Sequence, residues 1–158
     1  MVKYIQSYDY KPEHKIYYDQ IIPLTRTIAE TYPAHINWVD NKFIGGLKTS
    51  LERAYSFAVD KDVLAGCSLL KNTPEEKKIC CLFVDPLYRG QGIASQLIEN
   101  SFELLQTLHP VMTVSNNNIN QLIKLINRYN FELTRTVKGA YRPDLVEYYY
   151  NEHYQKIR

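Results

Sequence analysis

Apolar residues recur every three or four positions in the first third of the chain, after a short alternating start. Residues 3–8 alternate between polar and apolar side chains, which predicts a first strand. Residues 13–32 have helical spacing and predict a helix that is bent at Pro23. Residues 36–53 predict a second helix, or a pair of helices broken at Gly45-Gly46.

Shorter apolar runs, separated by turn-forming residues, fill the rest of the chain. The continuous apolar run 77–84 is typical of a central strand that is buried on both faces. Amphipathic patterns over 92–107 and 119–129 predict two helices, and Asn130 is placed to cap the second one in a left-handed conformation. The other predicted strands cover 54–59, 63–70, 110–114, 131–139 and 145–153. This order indicates a mixed sheet with helices on both faces.

The composition is that of a globular protein. The chain has 158 residues, which suits one domain over 1–158, and 45% of them are hydrophobic, which is enough for a buried core. Its net charge of +2 is lower than that of a dedicated nucleic-acid module. No apolar run approaches the roughly 20 residues that cross a bilayer, and the start lacks the apolar segment of a signal peptide. We therefore expect a cytoplasmic protein with no membrane partner.

Cysteine usage adds to this picture. Cys67, Cys80 and Cys81 lie inside apolar runs, and the sequence has no Cys-x-x-Cys pair. An odd number of cysteines without a neighbouring His favours buried, reduced thiols over disulfides, zinc or a catalytic thiolate. We therefore expect no metal site.

The segment between the central strand and the first amphipathic helix reads LFVDPLYRGQGIAS over 82–95. Gly90 and Gly92 let the backbone turn sharply and approach a ligand closely. The N-terminus of the following helix offers unpaired N–H groups and a partial positive charge, both of which suit a phosphate. Arg89 adds a charge that can reach a phosphate oxygen. The segment therefore predicts an anion site.

Three kinds of phosphate-binding loop compete for this segment. A nucleotide-hydrolase loop needs a Lys-Ser/Thr pair after its last glycine, and this pair is missing. A dinucleotide loop needs Gly or Ala where Ser95 stands, and an acid at the end of the next strand, which the chain lacks. Val84-Asp85-Pro86-x-x-Arg89-Gly90-x-Gly92-Ile93-Ala94 resembles the pyrophosphate loop of the GNAT superfamily of acetyl-CoA-dependent N-acetyltransferases.

The resemblance implies an α/β (α+β) fold with a mixed, mostly antiparallel sheet of about seven strands and helices on both faces. It also implies acetyl-CoA as the co-substrate, without a metal. The pantetheine arm would lie in a gap beside the central strand, and a backbone N–H near Val84 would polarise the thioester carbonyl. The residues implied in coenzyme binding are Leu82, Phe83, Val84, Arg89, Gly90, Gln91, Gly92, Ile93, Ala94, Ser95 and Asn118.

The resemblance is weaker where the family carries its acid. The family segment Asn-x-x-Ala-x-x-x-Tyr-x-x-x-Gly-Phe, aligned on Phe131, places Ile126 at the tyrosine position. An aliphatic side chain cannot protonate a thiolate. Tyr129, three residues away on the same helical face, is one candidate catalytic residue. Tyr141 and Glu76 are the others, at positions where some relatives carry a substrate-side aromatic residue and a base.

The acceptor is left open by the sequence. Direct attack on the thioester needs a neutral amine, so a base or a water chain must remove a proton. The resemblance implies an acceptor site in the first helical region, where we expect His35 at the surface. A protein or peptide amine, a small-molecule amine and an aminoacyl-tRNA remain alternatives, while other nucleic acid is disfavoured.

Two further alternatives concern the function and the assembly. A non-catalytic acyl-CoA-binding module of the same fold is the alternative function, because Ile126 replaces the acid tyrosine. The chain has 14 tyrosines, and Tyr148-Tyr149-Tyr150 lie in its last predicted strand. Pairing of this strand with a second copy would give a homodimer.

Overall fold

The fold is built around one seven-stranded sheet. The computed structural model describes residues 1–155. Its strands are β1 Lys3–Ser7, β2 Arg53–Asp60, β3 Val63–Asn72, β4 Lys77–Val84, β5 Val111–Ser115, β6 Leu133–Lys138 and β7 Val146–Tyr150. Across the sheet they follow the order β1-β2-β3-β4-β5-β7-β6, and only β4 and β5 run parallel. The predicted mixed, mostly antiparallel sheet is confirmed.

The helices fall into an N-terminal group and two longer helices. The N-terminal group comprises α1 Lys15–Tyr18, α2 Ile21–Leu24, α3 Ile28–Thr31, α4 His35–Asn37, the π-helical Trp38–Ile44 and α5 Gly45–Thr49. The longer helices are α6 Ile93–Leu105 and α7 Ile119–Arg128. Short 3-10 turns lie at Pro12–His14, Pro86–Tyr88 and Glu152–Tyr154. In the part of the chain that the structure describes, no helix is long and apolar enough to cross a membrane.

The N-terminal group corrects two helix predictions. The single bent helix predicted over 13–32 is three short helices, and the chain leaves α2 just after Pro23. There the hydroxyl and the N–H of Thr25 both bond to the Ile21 carbonyl, at 2.7 and 2.9 Å, which closes the turn. The break predicted at Gly45-Gly46 is also wrong, since both residues are helical. Gly46 serves packing instead, because a Cβ there would lie 2.8 Å from Arg53 Cγ.

The two faces of the sheet carry separate cores. On the face covered by the N-terminal helices, the largest fully buried side chains are Ile21, Val39, Phe43, Tyr55, Phe57 and Leu69. On the other face, Leu104 and Leu105 of α6 and Ile126 of α7 share a core with the strand residues Leu70, Ile79 and Met112. Burial on both faces explains why β4 is a continuous apolar run rather than an alternating one.

The tyrosine-rich strand does not lie at an edge of the sheet. Tyr148, Tyr149 and Tyr150 of β7 pair with β5 on one side and with β6 on the other. The edge strands are β1 and β6. The prediction that the tyrosine-rich strand pairs with a second copy is therefore wrong, because its backbone groups are already used within the sheet.

Candidate active site

A cleft opens where the two parallel strands separate. β4 and β5 pair only at Lys78–Val111 and Ile79–Met112, although both strands continue for several residues. β4 keeps its antiparallel pairing with β3 as far as Val84, so only its other edge is free. This free edge is a row of backbone donors and acceptors within the molecule rather than at its rim.

The hydrogen bonds at the end of β4 show which peptide groups face the cleft. The Asp85 N–H donates to the Ala65 carbonyl of β3 at 2.8 Å. The Val84 carbonyl accepts from Arg89 Nε at 3.0 Å, on the opposite side. Because backbone groups alternate along a strand, those of Leu82 face the cleft as those of Val84 do. The Val84 carbonyl is occupied by Arg89, which leaves the Val84 N–H on the open edge.

The cleft has a volume of about 1060 Å³. Its walls are the free half of β4, the start of α6, the inner face of α7, the helices α2–α4 and the turn before β7. This size lies at the upper end of the range of ligand sites in proteins, and it suits an extended molecule.

The loop Asp85–Gly92, which we call the phosphate loop, closes one end of the cleft. Gly90 and Gly92 have φ angles of +81° and +79°, which are left-handed and favour glycine. Gly92 is the N-cap of α6 and has no side chain to bond the first amides of the helix. These amides remain available for an anion at the positive end of the helix dipole.

Two contacts fix the shape of the phosphate loop. The Asp85 carboxylate accepts from the Leu87 N–H at 2.9 Å and caps the 3-10 turn that follows it. The Tyr88 hydroxyl donates to Asp60, the last residue of β2, at 2.8 Å. The loop is therefore held at both its start and its middle before any ligand binds.

Arg89 is oriented by the strand that it follows. Its Nε bonds the Val84 carbonyl, and its guanidinium lies 5.5 Å from the centre of the Phe83 ring. It takes part in none of the ion pairs found among residues 1–155. Its remaining N–H donors are thus free to bind a phosphate at the end of the cleft.

The position of α7 corrects the alignment of its predicted acid. Ile126 is only 3% exposed and packs in the core beneath the cleft. The residues of α7 that line the cleft are Gln121, Leu122 and Leu125, with Asn118 at the N-cap. The family tyrosine lies seven residues after its asparagine, and counting from Asn118 gives Leu125. Both positions are aliphatic, so the cleft lacks a tyrosine at either of them.

The three candidate catalytic residues are not brought together. The Tyr129 hydroxyl donates to Glu99 at 2.6 Å and does not line the cleft. Glu76 lies in the β3–β4 turn, where it accepts from Lys71 at 3.0 Å. Only Tyr141, in the turn before β7, lies on the wall of the cleft.

The structure places two residues beside Tyr141 that the sequence did not single out. Tyr32, at the end of α3, packs edge-on against Tyr141 with ring centres 4.9 Å apart. Its hydroxyl donates to Glu147 on β7 at 2.8 Å. We call Tyr32, Tyr141 and Glu147 the tyrosine wall. A carboxylate inside the strand sequence VEYYY was the available signal, since an acid between apolar and aromatic strand residues is unusual.

Burial changes the proton affinities of the tyrosine wall. Loss of solvent raises the pKa of the Glu147 carboxyl, against which its hydrogen bonds act. Burial raises the pKa of the Tyr32 phenol well above its ordinary value, and the neighbouring Glu147 charge adds to this effect. Burial is also the main reason why the pKa of Tyr141 is raised. Tyr32 and Tyr141 therefore stay neutral at physiological pH.

His35 also lines the cleft, although we expected it at the surface. It is 7% exposed, and its Nε2 lies 2.8 Å from the Thr25 hydroxyl. Burial lowers its pKa, so the ring is neutral near pH 7. His35 stacks on Trp38 with ring centres 6.4 Å apart, which gives this part of the cleft an aromatic lining.

The cysteines are free, as predicted, but they differ in exposure. Cys67 and Cys81 are buried, whereas Cys80 is partly exposed on the cleft. The β3–β4 pairing matches Leu69 with Cys81 and Leu70 with Ile79, so Cys80 is the unpaired residue of a β-bulge. Within residues 1–155, no group of three or more His, Cys, Asp or Glu side chains could hold a metal ion.

Comparison with known proteins identifies the family. The family described as "Acetyltransferase (GNAT) domain" matches residues 51–133, just over half of the chain. This range contains the free strand edge, the phosphate loop, α6 and α7. The chain therefore belongs to the GNAT family of acetyltransferases. No curated protein matches the chain in sequence.

Several solved structures share the fold. Arabidopsis thaliana NAA60 in complex with acetyl-CoA has a TM-score of 0.71 at 17% identity, over 95% of this chain and 97% of that one. Ard1 from Thermoplasma volcanium has a TM-score of 0.70 at 15% identity, with 93% and 95% covered. The aminoglycoside 6'-N-acetyltransferase from Enterococcus faecium has a TM-score of 0.67 at 12% identity, with 92% and 94% covered. These likenesses show the GNAT fold, as predicted from the loop.

Proposed function

We propose that this protein transfers the acetyl group of acetyl-CoA to a primary amine by direct attack of the amine on the thioester. The observation that carries the proposal is the meeting of two binding features in one cleft. The free edge of β4 can pair with an extended amide chain, and the phosphate loop at its end can bind an anion. Pantetheine joined to a pyrophosphate has both features in this order.

The proposed binding site for acetyl-CoA, the acetyl donor, follows from these two features. The backbone groups of Leu82 and the N–H of Val84 pair with the amides of pantetheine, and Phe83 continues the strand between them. The residues proposed for the pyrophosphate are Arg89, Gly90, Gln91, Gly92, Ile93, Ala94 and Ser95. Asn118, Leu122 and Leu125 form the opposite wall. NAA60 in its acetyl-CoA complex has the same fold, which supports this arrangement.

The proposed binding site for the acceptor amine lies beside the tyrosine wall. There the aromatic rings of Tyr32 and Tyr141 can pack against an ammonium group. The structures that share the fold include an enzyme named for an aminoglycoside, which supports a small-molecule amine, and a NAA60 complex with a bisubstrate analogue. We propose an amine of a small molecule, a peptide or a protein as the acceptor. Three unpaired cysteines support a cytoplasmic location.

A non-catalytic acyl-CoA-binding module is the second candidate. It is favoured by Leu125 and Ile126, because an aliphatic residue stands where an acid tyrosine would protonate the leaving thiolate. Such a module would bind acetyl-CoA with the same loop and strand edge and release no thiol. The Tyr129 hydroxyl is bound to Glu99 and the Glu76 carboxylate to Lys71, which also favours this alternative.

The test combines binding and turnover. Calorimetry with acetyl-CoA, NAD and ATP is expected to show binding of acetyl-CoA alone. Thiol release is then followed with a tetrapeptide, a lysine peptide, kanamycin and spermidine. Release with at least one amine supports the transferase. Binding without release on any amine favours the module, and binding of NAD or ATP in preference to acetyl-CoA would overturn both.

A further inference from the structure

Glu147 is an acid in a place where proteins seldom put one. It is 3% exposed, lies inside β7, and forms no ion pair among the described residues. Its register partner Ser115 is the last residue of β5, beyond the point where β5 has left β4. A buried carboxylate without a cationic partner costs stability, so its position calls for a reason beyond folding.

The groups that face Glu147 come from several elements. Tyr32 after α3 donates to Oε2, Thr113 of β5 presents its hydroxyl, and Tyr141 lies in the turn before β7. Lys78 of β4 is the one cation whose charge reaches the carboxyl, and its effect is the smallest of those acting on it. Tyr149, two residues along β7, is also near the Glu147 charge, and the Arg135 guanidinium lies 3.9 Å from the centre of its ring.

Tyr32 connects this carboxylate to the cleft. The Tyr32 ring lines the cleft and packs against Tyr141, while Glu147 lies behind Tyr32 and does not line the cleft. The Tyr32 hydroxyl gives its own hydrogen to Glu147, and the Ser115 hydroxyl lies close to the same oxygen. One lone pair of the Tyr32 oxygen is left to accept a hydrogen bond from a group in the cleft. A proton can therefore enter at Tyr32 and leave toward Glu147.

We propose that Tyr32 and Glu147 form the proton relay that converts the acceptor from an ammonium into a neutral amine. The inference rests on the proposed transferase function. Tyr32 is the catalytic residue that touches the acceptor, and Glu147 is a positioning residue that acts through it.

The relay conserves protons at each step. An N–H bond of the ammonium breaks, its proton goes to the Tyr32 oxygen, and the Tyr32 hydroxyl proton goes to Glu147 Oε2. The neutral amine then attacks the thioester carbonyl, the C–N bond forms and the C–S bond breaks. Coenzyme A leaves as the thiolate and takes up the second amine proton. Glu147 finally returns its proton to solvent, so one proton is released overall.

The electrostatics of the wall suit this role. A carboxyl whose pKa is raised by burial is a stronger base than an ordinary glutamate. Tyr32 resists ionisation, because burial and the adjacent carboxylate both raise its pKa. Tyr32 therefore transfers a proton to Glu147 while its own phenol stays neutral. Among the other candidate bases, Glu76 is bound to Lys71 outside the cleft. Burial lowers the pKa of His35, so its ring is a weaker base than an ordinary histidine.

The test compares pH profiles of kcat/KM for the fastest amine of the panel. Glu147→Gln and Tyr32→Phe are expected to lower kcat/KM at pH 7 by about 100-fold, the usual contribution of a general base. The loss should shrink as the pH approaches the pKa of the free amine, about 8 for an α-amine and about 10.4 for a lysine. The affinity for acetyl-CoA, measured by calorimetry, should stay unchanged, because neither residue belongs to the phosphate loop or to the free edge of β4.

The matched controls are Tyr154→Phe and Glu132→Gln. Tyr154 donates its hydroxyl to Glu132 on the surface, away from the cleft, so these variants remove the same kind of pair. Their pH profiles are expected to follow the wild type. A loss in Glu147→Gln that is constant across pH would overturn the relay and leave the transferase standing. A wild type that binds acetyl-CoA and acetylates no amine would instead refute the transferase, and the relay with it.

Discussion

At the scale of single residues, Gly90 and Gly92 show how the backbone prepares a site for a ligand. Both have positive φ angles, and a Cβ on either would meet no atom within 4 Å. Substitution is therefore resisted by backbone strain rather than by crowding, at a cost of about 1–2 kcal/mol. The open space beside these positions is where we place the pyrophosphate.

Gly92→Ala is expected to weaken acetyl-CoA binding by about tenfold or more, equivalent to about 1.4 kcal/mol. The reason is that relief of the strain turns the first amides of α6 away from the ligand. Calorimetry measures the affinity, and thermal melting measures the strain. Gly139→Ala is the control, since Gly139 has a φ of +76° in the turn after β6. It should lower Tm in a similar way without changing the affinity, and an equal loss of affinity in both variants would contradict the assignment.

The raised pKa of Glu147 makes the stability of the folded protein fall as the pH rises. Its pKa is raised in the folded protein, so the folded state holds its proton more tightly than the unfolded state does. Stability is therefore lost as pH rises from the ordinary glutamate range through the raised pKa, and the loss is complete above it. Glu147→Gln removes this loss. We expect the variant to melt at a higher temperature than the wild type at pH 7, with the difference disappearing near pH 4. A lower Tm at pH 7 would show that the charged form is stabilised by the fold.

At the scale of elements, α7 presents two neighbouring residues to different surroundings. Leu125 lines the cleft, whereas Ile126 is buried against the sheet. Ile126→Ala should cost about 2–5 kcal/mol of folding stability through the cavity that it leaves, with a normal affinity for acetyl-CoA in the folded fraction. Leu125→Ala should cost less stability and weaken binding. Chemical denaturation and calorimetry on the pair measure both effects, and the reverse pattern would place the wrong face of α7 in the cleft.

The elements also show what the sequence could predict. β4 was predicted over 77–84 and is found there, because a doubly buried strand leaves a continuous apolar run. Asn130 has the predicted left-handed conformation, with a φ of 57°. The short helices before residue 50 are not predicted, because the apolar residues keep their helical spacing across the breaks between α1, α2 and α3.

The candidate site likewise has one part that the sequence predicts and another part that it does not. The phosphate loop is contiguous in sequence, so local chemistry was enough to predict it. The tyrosine wall joins residues 115 positions apart, Tyr32 and Glu147, and no local pattern connects them. The alignment on Phe131 selects Ile126, whereas the neighbouring residue Leu125 lines the cleft, and only the orientation of the helix shows this difference.

At the scale of the whole molecule, the sheet is two halves joined by a short contact. β1–β4 form one half and β5–β7 the other, with only two residue pairs between β4 and β5. α6 packs across β2, β3 and β4, while α7 follows β5 and its face toward the sheet is buried at Ile126. Acetyl-CoA placed along the free edge of β4 would touch both halves, because Asn118, Leu122 and Leu125 face that edge across the cleft.

Binding of acetyl-CoA should therefore stabilise the second half as well as the loop that holds the phosphates. At 100 times its Kd, a ligand that binds only the folded state adds about 2.7 kcal/mol of stability. Hydrogen exchange with and without acetyl-CoA is expected to show slower exchange in β5 and α7, in addition to residues 82–95. NAD at the same concentration serves as the control and should slow neither region. Protection confined to residues 85–95 would mean that the ligand binds the loop without crossing the cleft, and that the two halves of the sheet are joined by protein contacts alone.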